Sequence, residues 1–308
     1  MAAVIEVQGL AKRYGSKRGI NDVSFSVDEG EVFGFLGPNG AGKTTTIRIL
    51  MALIGADSGT ARIAGLDCWH QSVAIKKIVG YVPGEPALDP NLTGGQILEF
   101  FARLRGGVDQ KYLKDLIERF DLDISRKFRQ YSTGNKRKVV LIQAFMHRPR
   151  LLILDEPTSG LDPLNQHEFD RMVKEVSDEG RTVFLSSHIL SEVEKTCTRV
   201  GIIRAGSIVR IGGVAEVAAI KRYEMTVTFG SPVPADAFKS LDGVISVEAS
   251  DEGHTLRLEM QGPADAVVKA AARYPVISLT SHEPSLEDIF LRYYESDVAA
   301  KEAEHVVA

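Results

Sequence analysis

The sequence predicts an α/β domain built on a parallel sheet, followed by a smaller α+β domain. Over residues 1–220, short apolar runs bounded by Gly, Asp and Pro alternate with helix-like segments, which is typical of interleaved strands and helices. Over residues 221–308, the order becomes strand, helix, strand, strand, helix, strand, as in a ferredoxin-like unit. We therefore predict two domains, 1–220 and 221–308.

Four apolar runs in the first domain are predicted strands: residues 31–36, 78–82, 151–154 and 182–186. The last two are almost wholly apolar, which indicates parallel strands covered by helices on both faces. Between the second and third runs, residues 88–147 show apolar residues three and four apart, so we expect a helical subdomain there. Its predicted helices are residues 96–104, 111–120 and 136–146.

The second domain ends in a predicted helix over residues 285–296, where Ser285 and Asp288 form a variant of a capping box. The preceding predicted strands are residues 224–229, 244–250, 254–260 and 276–282, and the predicted helices are residues 235–241 and 264–274.

The composition is that of an ordinary globular protein. The 308 residues are 44% hydrophobic and 25% charged, which excludes disordered, collagenous and disulfide-scaffold classes. The net charge is −4, divided as +3 over residues 1–220 and −7 over residues 221–308, so we expect no nucleic-acid partner. The basic stretches around Tyr14 and Tyr131 are better explained as solvated faces and as rims that attract phosphate.

The cysteines and the apolar segments indicate the compartment. Cys68 and Cys197 lie far apart and outside any metal-binding spacing, which favours a reduced, cytoplasmic protein. The N-terminus lacks the apolar core of a signal peptide, and no run approaches the roughly 18 apolar residues of a membrane span. We expect a chain that does not cross a membrane by itself.

The strongest motif is GPNGAGKTT, which follows an apolar strand and precedes a helix. Its residues are Gly37, Pro38, Asn39, Gly40, Ala41, Gly42, Lys43, Thr44 and Thr45. Backbone N–H groups of such a loop surround phosphates, Lys43 reaches their β and γ oxygens, and the Thr44 hydroxyl can bind Mg²⁺. A chance match is on the order of one in a hundred. We therefore predict a P-loop NTPase rather than a glycine-rich turn without a ligand.

Two carboxylates follow the apolar strand LLIL at residues 151–154. Ligands of open α/β sheets bind at the carboxyl ends of strands. Asp155 is thus placed to hold Mg²⁺, and Glu156 to orient or deprotonate an attacking water. Solvated turn residues are the alternative, which a nearby phosphate loop makes less favourable.

With these motifs in order, residues 4–220 resemble the ATP-binding subunits of ATP-binding cassette (ABC) transporters. YSTGNKRK at 131–138 looks like the family signature, and SGLD at 159–162 looks like its D-loop. SSH, ending at His188, looks like the switch histidine, and Tyr14 in KRYG matches the aromatic residue on which adenine stacks.

The resemblance implies a head-to-tail dimer that holds two ATP molecules between its subunits. Ser132 and Gly134 of one subunit would meet the γ-phosphate bound by Lys43 of the other. Asp162 would cross the same interface, and His188 would contact the γ-phosphate.

Each of these roles has a structural alternative. Ser132 and Asp162 also suit helix caps, and Asp162 would precede a helix over residues 163–178. His188 could be structural, and Tyr14 could pack on a strand face.

The chain departs from the family pattern at two places. The usual glutamine after a GYVP-like segment, which contacts Mg²⁺ and couples to the membrane subunit, is replaced by Gly84. Either Glu85 or a water substitutes for it, or the PGEP turn does not contact nucleotide. In the signature, Thr133 replaces a glycine and Asn135 a glutamine.

The resemblance implies an ATP-hydrolysing subunit, on the cytoplasmic face of the membrane, that drives a separate membrane permease. The C-terminal extension resembles that of antibiotic and multidrug resistance ATPases, so we expect two copies that export drug-like or lipid-like molecules. The extension would regulate the cycle or support the dimer. The alternatives are an ABC ATPase acting on ribosomes or nucleic acid, a P-loop kinase, and a regulatory subunit without turnover.

Overall fold

The computed structural model describes residues 3–15, 17–218 and 222–282. The chain forms two compact units, Met1–Val214 and Ala215–Ala308. The predicted helix over residues 285–296, with Ser285 and Asp288, lies outside the described residues. Within the described part, none of the helices is both long and apolar enough to cross a bilayer.

The strands of the first unit form two sheets. They are β1 (Ala3–Tyr14), β2 (Lys17–Asp28), β3 (Val32–Leu36), β4 (Ser58–Ile63), β5 (Leu66–Asp67), β6 (Val79–Val82), β7 (Leu151–Asp155), β8 (Thr182–Ser187), β9 (Arg199–Arg204) and β10 (Ser207–Gly213). The predicted parallel core is confirmed: β9, β3, β8, β7 and β6 pair in parallel in that order, with β10 antiparallel at the edge. The predicted strands correspond to β3, β6, β7 and β8.

The other sheet is antiparallel, in the order β2-β1-β4-β5, and our sequence analysis did not predict it. Its apolar residues face the parallel sheet. The Phe25 ring from β2 stacks on Phe33 of β3 and Phe184 of β8, with centroids 5.8 and 5.7 Å apart. These buried aromatic contacts hold the two sheets together.

The helices of the first unit are α1 (Lys43–Leu50), α2 (Ser72–Ile78), α3 (Gly94–Leu104), α4 (Gln110–Arg119), α5 (Thr133–Phe145), α6 (Pro163–Asp178) and α7 (Leu190–Thr196), with a 3₁₀ turn at Phe128–Gln130. The predicted helical block between the strands is confirmed as α3 to α5. Its helices begin earlier than predicted because Thr93, Asp109 and Ser132 cap their first N–H groups. A short helix, α8 (Val214–Ala218), includes the end of the first unit.

The second unit has the predicted ferredoxin-like order. It consists of β11 (Arg222–Phe229), α9 (Asp236–Lys239), β12 (Val244–Ser250), a 3₁₀ turn (Asp251–Gly253), β13 (Thr255–Gln261), α10 (Asp265–Ala271) and β14 (Val276–His282). Its antiparallel sheet runs β12-β13-β11-β14. Val227 and Leu258 from the sheet pack with Phe238 and Val267 from the helices in a separate core.

The two cysteines, Cys68 and Cys197, are buried as free thiols. Desolvation raises the pKa of each thiol to about 12, so both remain protonated and unreactive at neutral pH.

Candidate active site

Three neighbouring parallel strands end at one edge of the core sheet and bring the predicted site together. The loop of residues 37–42 follows β3, and His188 follows β8. Asp155 is the last residue of β7, and Glu156 comes directly after it. Since β8 lies between β3 and β7, the three segments are adjacent. This edge is where open α/β sheets bind ligands.

The glycine-rich loop is held against the sheet by close backbone contacts. A Cβ on Gly37 would lie 2.3 Å from the carbonyl oxygen of Ile203, so this position requires glycine. Gly42 precedes α1 with a φ of 113°, a conformation that side chains rarely allow. The loop therefore leads directly into the start of α1, where unpaired backbone N–H groups favour an anion.

The Lys43 side chain is only 5% exposed and lies within the loop. Its ammonium donates hydrogen bonds to the carbonyl oxygens of Gly37, at 2.5 Å, and Pro38, at 3.2 Å. It also lies 3.1 Å from Oε1 of Glu156. This carboxylate and these carbonyls satisfy a buried cation that would otherwise be unfavourable.

Asp155 is fully buried at the end of β7. Its Oδ1 accepts a hydrogen bond of 2.6 Å from the Ser186 hydroxyl of the neighbouring strand β8. Its Oδ2 has no hydrogen-bond partner among the described residues. Ser186 therefore positions one oxygen of this carboxylate, while the other is buried without a hydrogen bond within the described part of the chain.

Glu156 connects the loop to the segment after β8. Its Oε2 lies 2.8 Å from Nδ1 of His188, whose side chain is 43% exposed. Its backbone N–H donates to the Ser186 hydroxyl at 3.0 Å, and its φ is +48°. A positive φ at a non-glycine residue is strained and is common at functional sites.

The predicted signature and D-loop segments lie against each other within the chain. Ser132 caps α5 and accepts from the N–H of Asn135 at 3.3 Å. Asp162 caps α6 and accepts from the N–H of Asn165 at 3.0 Å. A Cβ on Gly134 would lie only 2.7 Å from the carbonyl oxygen of Gly160. The absence of a side chain at Gly134 thus allows the two segments to lie close together. Both predicted cap alternatives are therefore observed.

The Tyr14 side chain lies at the end of β1 and is 44% exposed. The ring also lies over Gly19 of β2, where an added Cβ would be 3.3 Å from its Cδ2, as in the alternative in which it packs on a strand face. The paired strand β2 carries Ile20, whose side chain lies against Gly42 of the phosphate-type loop. The part of the tyrosine ring that does not cover Gly19 is exposed.

Comparisons with known proteins agree with this arrangement. Residues 20–159 match the family described as ABC transporter, and residues 216–294 match the C-terminal domain of DrrA1-3-like ATP-binding proteins. The linearmycin resistance ATP-binding protein LnrL of Bacillus subtilis is 33% identical, with 94% of this chain and 97% of that protein covered. The chain belongs to the ABC transporter ATP-binding proteins.

Two further matches support the assignment. The daunorubicin resistance ATP-binding protein DrrA3 of Streptomyces coeruleorubidus is 34% identical, with 97% and 98% of the two chains covered. A solved ATP-binding subunit of an ABC transporter is 31% identical, with a TM-score of 0.64, 70% of this chain and 91% of that chain covered. The prediction of an ATP-binding and ATP-hydrolysing transporter subunit is confirmed, and the ribosome alternative receives no support. ATP-binding subunits of this family work as dimers with membrane permeases.

The ABC site includes polar residues that our sequence analysis missed. Ser186 connects Asp155 and Glu156, and Glu192 accepts from the hydroxyls of Thr158, at 2.8 Å, and Ser187, at 2.6 Å. Ser186 could have been predicted, because it is a polar residue at the end of an apolar strand, where ligands of parallel sheets bind. Glu192 could not be found from spacing, because its partners come from two separate strand ends.

The carboxylate side of the site has the chemistry of a magnesium site. Mg²⁺ prefers oxygen ligands and is usually held by one or two carboxylates together with substrate phosphates and waters. Asp155 supplies a buried oxygen that has no hydrogen-bond partner in the described part of the chain, and the half-buried Thr44 supplies a hydroxyl at the start of α1. The described residues contain no group of three or more His, Cys, Asp and Glu side chains that could hold a metal ion. Phosphate and water oxygens would therefore complete the site.

Proposed function

We propose that this chain hydrolyses ATP at the cluster of Lys43, Glu156 and His188 and passes the work to a membrane permease. The observation that carries the proposal is the Glu156 carboxylate, which lies 3.1 Å from Lys43 and 2.8 Å from His188. This cluster lies beside the glycine-rich loop of residues 37–42. Its buried cation, carboxylate and histidine suit the attack of water on a phosphoryl group.

The loop residues bind the triphosphate. Their N–H groups and the α1 N-terminus attract the phosphate oxygens, and Lys43 exchanges its carbonyl partners for the β and γ oxygens. Tyr14 stacks on the adenine, an interaction worth about 1 to 3 kcal/mol per base. The contacting residues are Tyr14, Gly37, Pro38, Asn39, Gly40, Ala41, Gly42, Lys43, Thr44 and Thr45.

Glu156 and His188 act on the attacking water. The carboxylate orients the water in line with the leaving oxygen and accepts its proton. His188 donates to Glu156 or to the γ-phosphate and holds the carboxylate in place. Positioning and charge stabilisation supply most of the acceleration in such reactions.

Asp155 and Thr44 would hold Mg²⁺. When bound, the ion neutralises charge on the β and γ oxygens. Ser186 orients Asp155 through its 2.6 Å hydrogen bond to Oδ1, which leaves Oδ2 as the oxygen that would bind the ion.

We further propose that two copies of the chain pair head to tail, with Ser132, Gly134 and Asp162 of each copy facing the ATP of the other. The first turn of α5 contains no acidic residue, and Lys136 adds positive charge, which supports an anion-binding helix start. Ser132 and Asp162 are exposed at the ends of their helices, so their capping bonds leave them accessible to a second copy.

An apolar groove of the first unit supports docking of the permease. It lies beside β6 and is lined by residues of α2, α3 and the segment after α1. Its residues Leu53, Val73 and Leu104 are more than half exposed. Pro83 lies in the same groove. We propose that an apolar helix of the permease binds here on the cytoplasmic face and that the complex exports drug-like or lipid-like molecules. In this proposal residues 1–220 are the ATPase domain and residues 221–308 regulate it or support the dimer.

Hydrolysis by the purified full chain tests the site. We expect Mg²⁺-dependent release of phosphate from ATP. Glu156→Gln should lower turnover by about 100-fold or more while ATP binding is retained. Glu118→Gln, in an exposed pair with Lys114, is the matched control and should keep full activity. Wild-type turnover in Glu156→Gln would contradict the assignment of Glu156.

A further inference from the structure

Arg137 is a buried arginine that lies at the junction of three functional segments. It belongs to α5 and is only 3% exposed. Its guanidinium donates from Nη1 to the carbonyl oxygen of Pro83 at 2.7 Å and from Nη2 to that of Gly84 at 2.6 Å. Its Nε donates to the carbonyl oxygen of Ser159 at 3.3 Å. One side chain thus connects the loop after β6, the turn after Glu156 and the signature helix.

The loop that Arg137 binds lies directly against Asp155, the carboxylate that we assign to Mg²⁺. A Cβ on Gly84 would be 3.1 Å from Oδ2 of Asp155, the buried oxygen that has no hydrogen-bond partner among the described residues. Gly84 therefore lets the backbone approach the carboxylate more closely than a larger residue would. Glu85, the predicted substitute for the usual glutamine, is exposed.

The guanidinium of Arg137 is buried close to two carboxylates. Desolvation lowers the pKa of Arg137, whereas the nearby carboxylates of Asp155 and Glu156 raise it. An arginine remains protonated under such conditions. A charged group is costly to bury unless its donors are satisfied, and the three backbone carbonyls satisfy it here.

We propose that Arg137 is a positioning residue that fixes the Gly84 backbone beside Asp155 and fastens it to α5 and to the Ser159 turn. Position 84 has no side chain that could connect Asp155 to α5. In this chain the Arg137 guanidinium makes that connection instead, by binding the backbone carbonyl of Gly84. The proposal rests on the proposed role of Asp155 in holding Mg²⁺.

The geometry requires arginine because its planar fork reaches carbonyls on two segments at once. A lysine keeps the charge but has one ammonium and cannot span the same three acceptors. Arg137→Lys thus tests the hydrogen bonds of the guanidinium, since it retains the charge and much of the side-chain volume. Arg129→Lys is the matched control, because Arg129 is exposed on the 3₁₀ turn Phe128–Gln130.

The experiment uses the full chain and measures three quantities. They are the melting temperature without nucleotide, the affinity for ATP in excess chelator, and the Mg²⁺ concentration that gives half of the metal-dependent thermal stabilisation by ATP. Hydrolysis is followed in the same titration. For Arg137→Lys we expect unchanged metal-free ATP affinity and an increase of about 10-fold or more in the required Mg²⁺, as for other residues that position metal ligands.

A second variant keeps Arg137 and disturbs the same relationship from the loop. Gly84→Ala places a methyl group against Asp155 Oδ2, and we expect it to raise the required Mg²⁺ as well. This variant decides the test if Arg137→Lys folds poorly.

Two results would overturn the proposal. One is a Mg²⁺ requirement in Arg137→Lys or Gly84→Ala that equals that of Arg129→Lys. The other is an equal loss of metal-free ATP affinity and Mg²⁺ response, which would show a general structural role. Failure of the proposed function is distinguishable, since then the wild-type chain would not hydrolyse ATP or Glu156→Gln would retain turnover.

Discussion

Glu156 and Lys43 form an ion pair at the edge of the core sheet, with Oε1 of the carboxylate 3.1 Å from the ammonium. The other carboxylate oxygen lies 2.8 Å from Nδ1 of His188. The same carboxylate that we assign to the attacking water is therefore also a partner of the lysine that we assign to the phosphates. On this assignment, ATP would compete with Glu156 for Lys43.

Glu156→Gln should therefore tighten ATP binding as well as stop hydrolysis. A neutral amide holds Lys43 less strongly, so the ammonium is more available to phosphate oxygens. The gain should be about 1 kcal/mol, the difference between a charged and a neutral hydrogen bond. Titration with a fluorescent ATP analogue in chelator measures it, and Glu118→Gln is the control. Weaker binding in Glu156→Gln would contradict the competition.

Ser186→Ala should destabilise the first unit and impair hydrolysis. The hydroxyl donates to Asp155 at 2.6 Å and accepts from the Glu156 N–H at 3.0 Å, and both partners would lose a buried bond. We expect a loss of about 1 to 3 kcal/mol in the free energy of unfolding. Denaturant titration measures it. Ser207→Ala removes an exposed hydrogen bond of the same unit and should cost much less, so equal losses would speak against the network.

Gly134→Ala should weaken ATP-driven pairing of two copies without weakening ATP binding to one. The new Cβ would lie 2.7 Å from the carbonyl oxygen of Gly160 and force the start of α5 away from the D-loop segment. Such crowding typically costs about 1 to 3 kcal/mol. Size-exclusion chromatography with ATP, in the Glu156→Gln background, reports the pairing. Gly95→Ala, whose Cβ meets nothing closer than 3.4 Å, is the control. Unchanged pairing in Gly134→Ala would count against the interface.

His147 should make the first unit sensitive to acid. Burial, and then the Arg105 cation, lower the pKa of this imidazole from 6.5 to about 4. Between these values the unfolded chain binds a proton that the folded chain does not, so stability falls as the pH decreases from about 6.5 to 4. Above pH 6.5 the group has no effect, because it is neutral in both states.

Replacement of His147 measures this contribution. We expect His147→Gln to remove about 2 kcal/mol of the stability lost across that pH range. Denaturant titrations at several pH values provide the measurement. His167→Gln, at an exposed position on α6, should leave the pH profile unchanged. Parallel profiles of the wild type and His147→Gln would refute the prediction.

Local patterns in the sequence predicted the elements that depend on local chemistry. The phosphate loop follows from its glycines and from Lys43, and the buried strand ending at Asp155 follows from a continuous apolar run. The second unit followed from its order of elements. The antiparallel sheet was missed because β1 and β2 mix polar and apolar residues and are defined mainly by their pairing.

The sequence by itself determined the family, the phosphate loop and the carboxylates that follow β7, because these depend on residues that are neighbours along the chain. Only the tertiary structure decided which side chains fasten the segments together. Arg137 reaches carbonyls at residues 83, 84 and 159, and Ser186 joins the carboxylate of Asp155 to the backbone N–H of Glu156. Contacts with backbone atoms of distant segments have no fixed spacing, and thus they arise only when the parallel strands bring those segments to one edge.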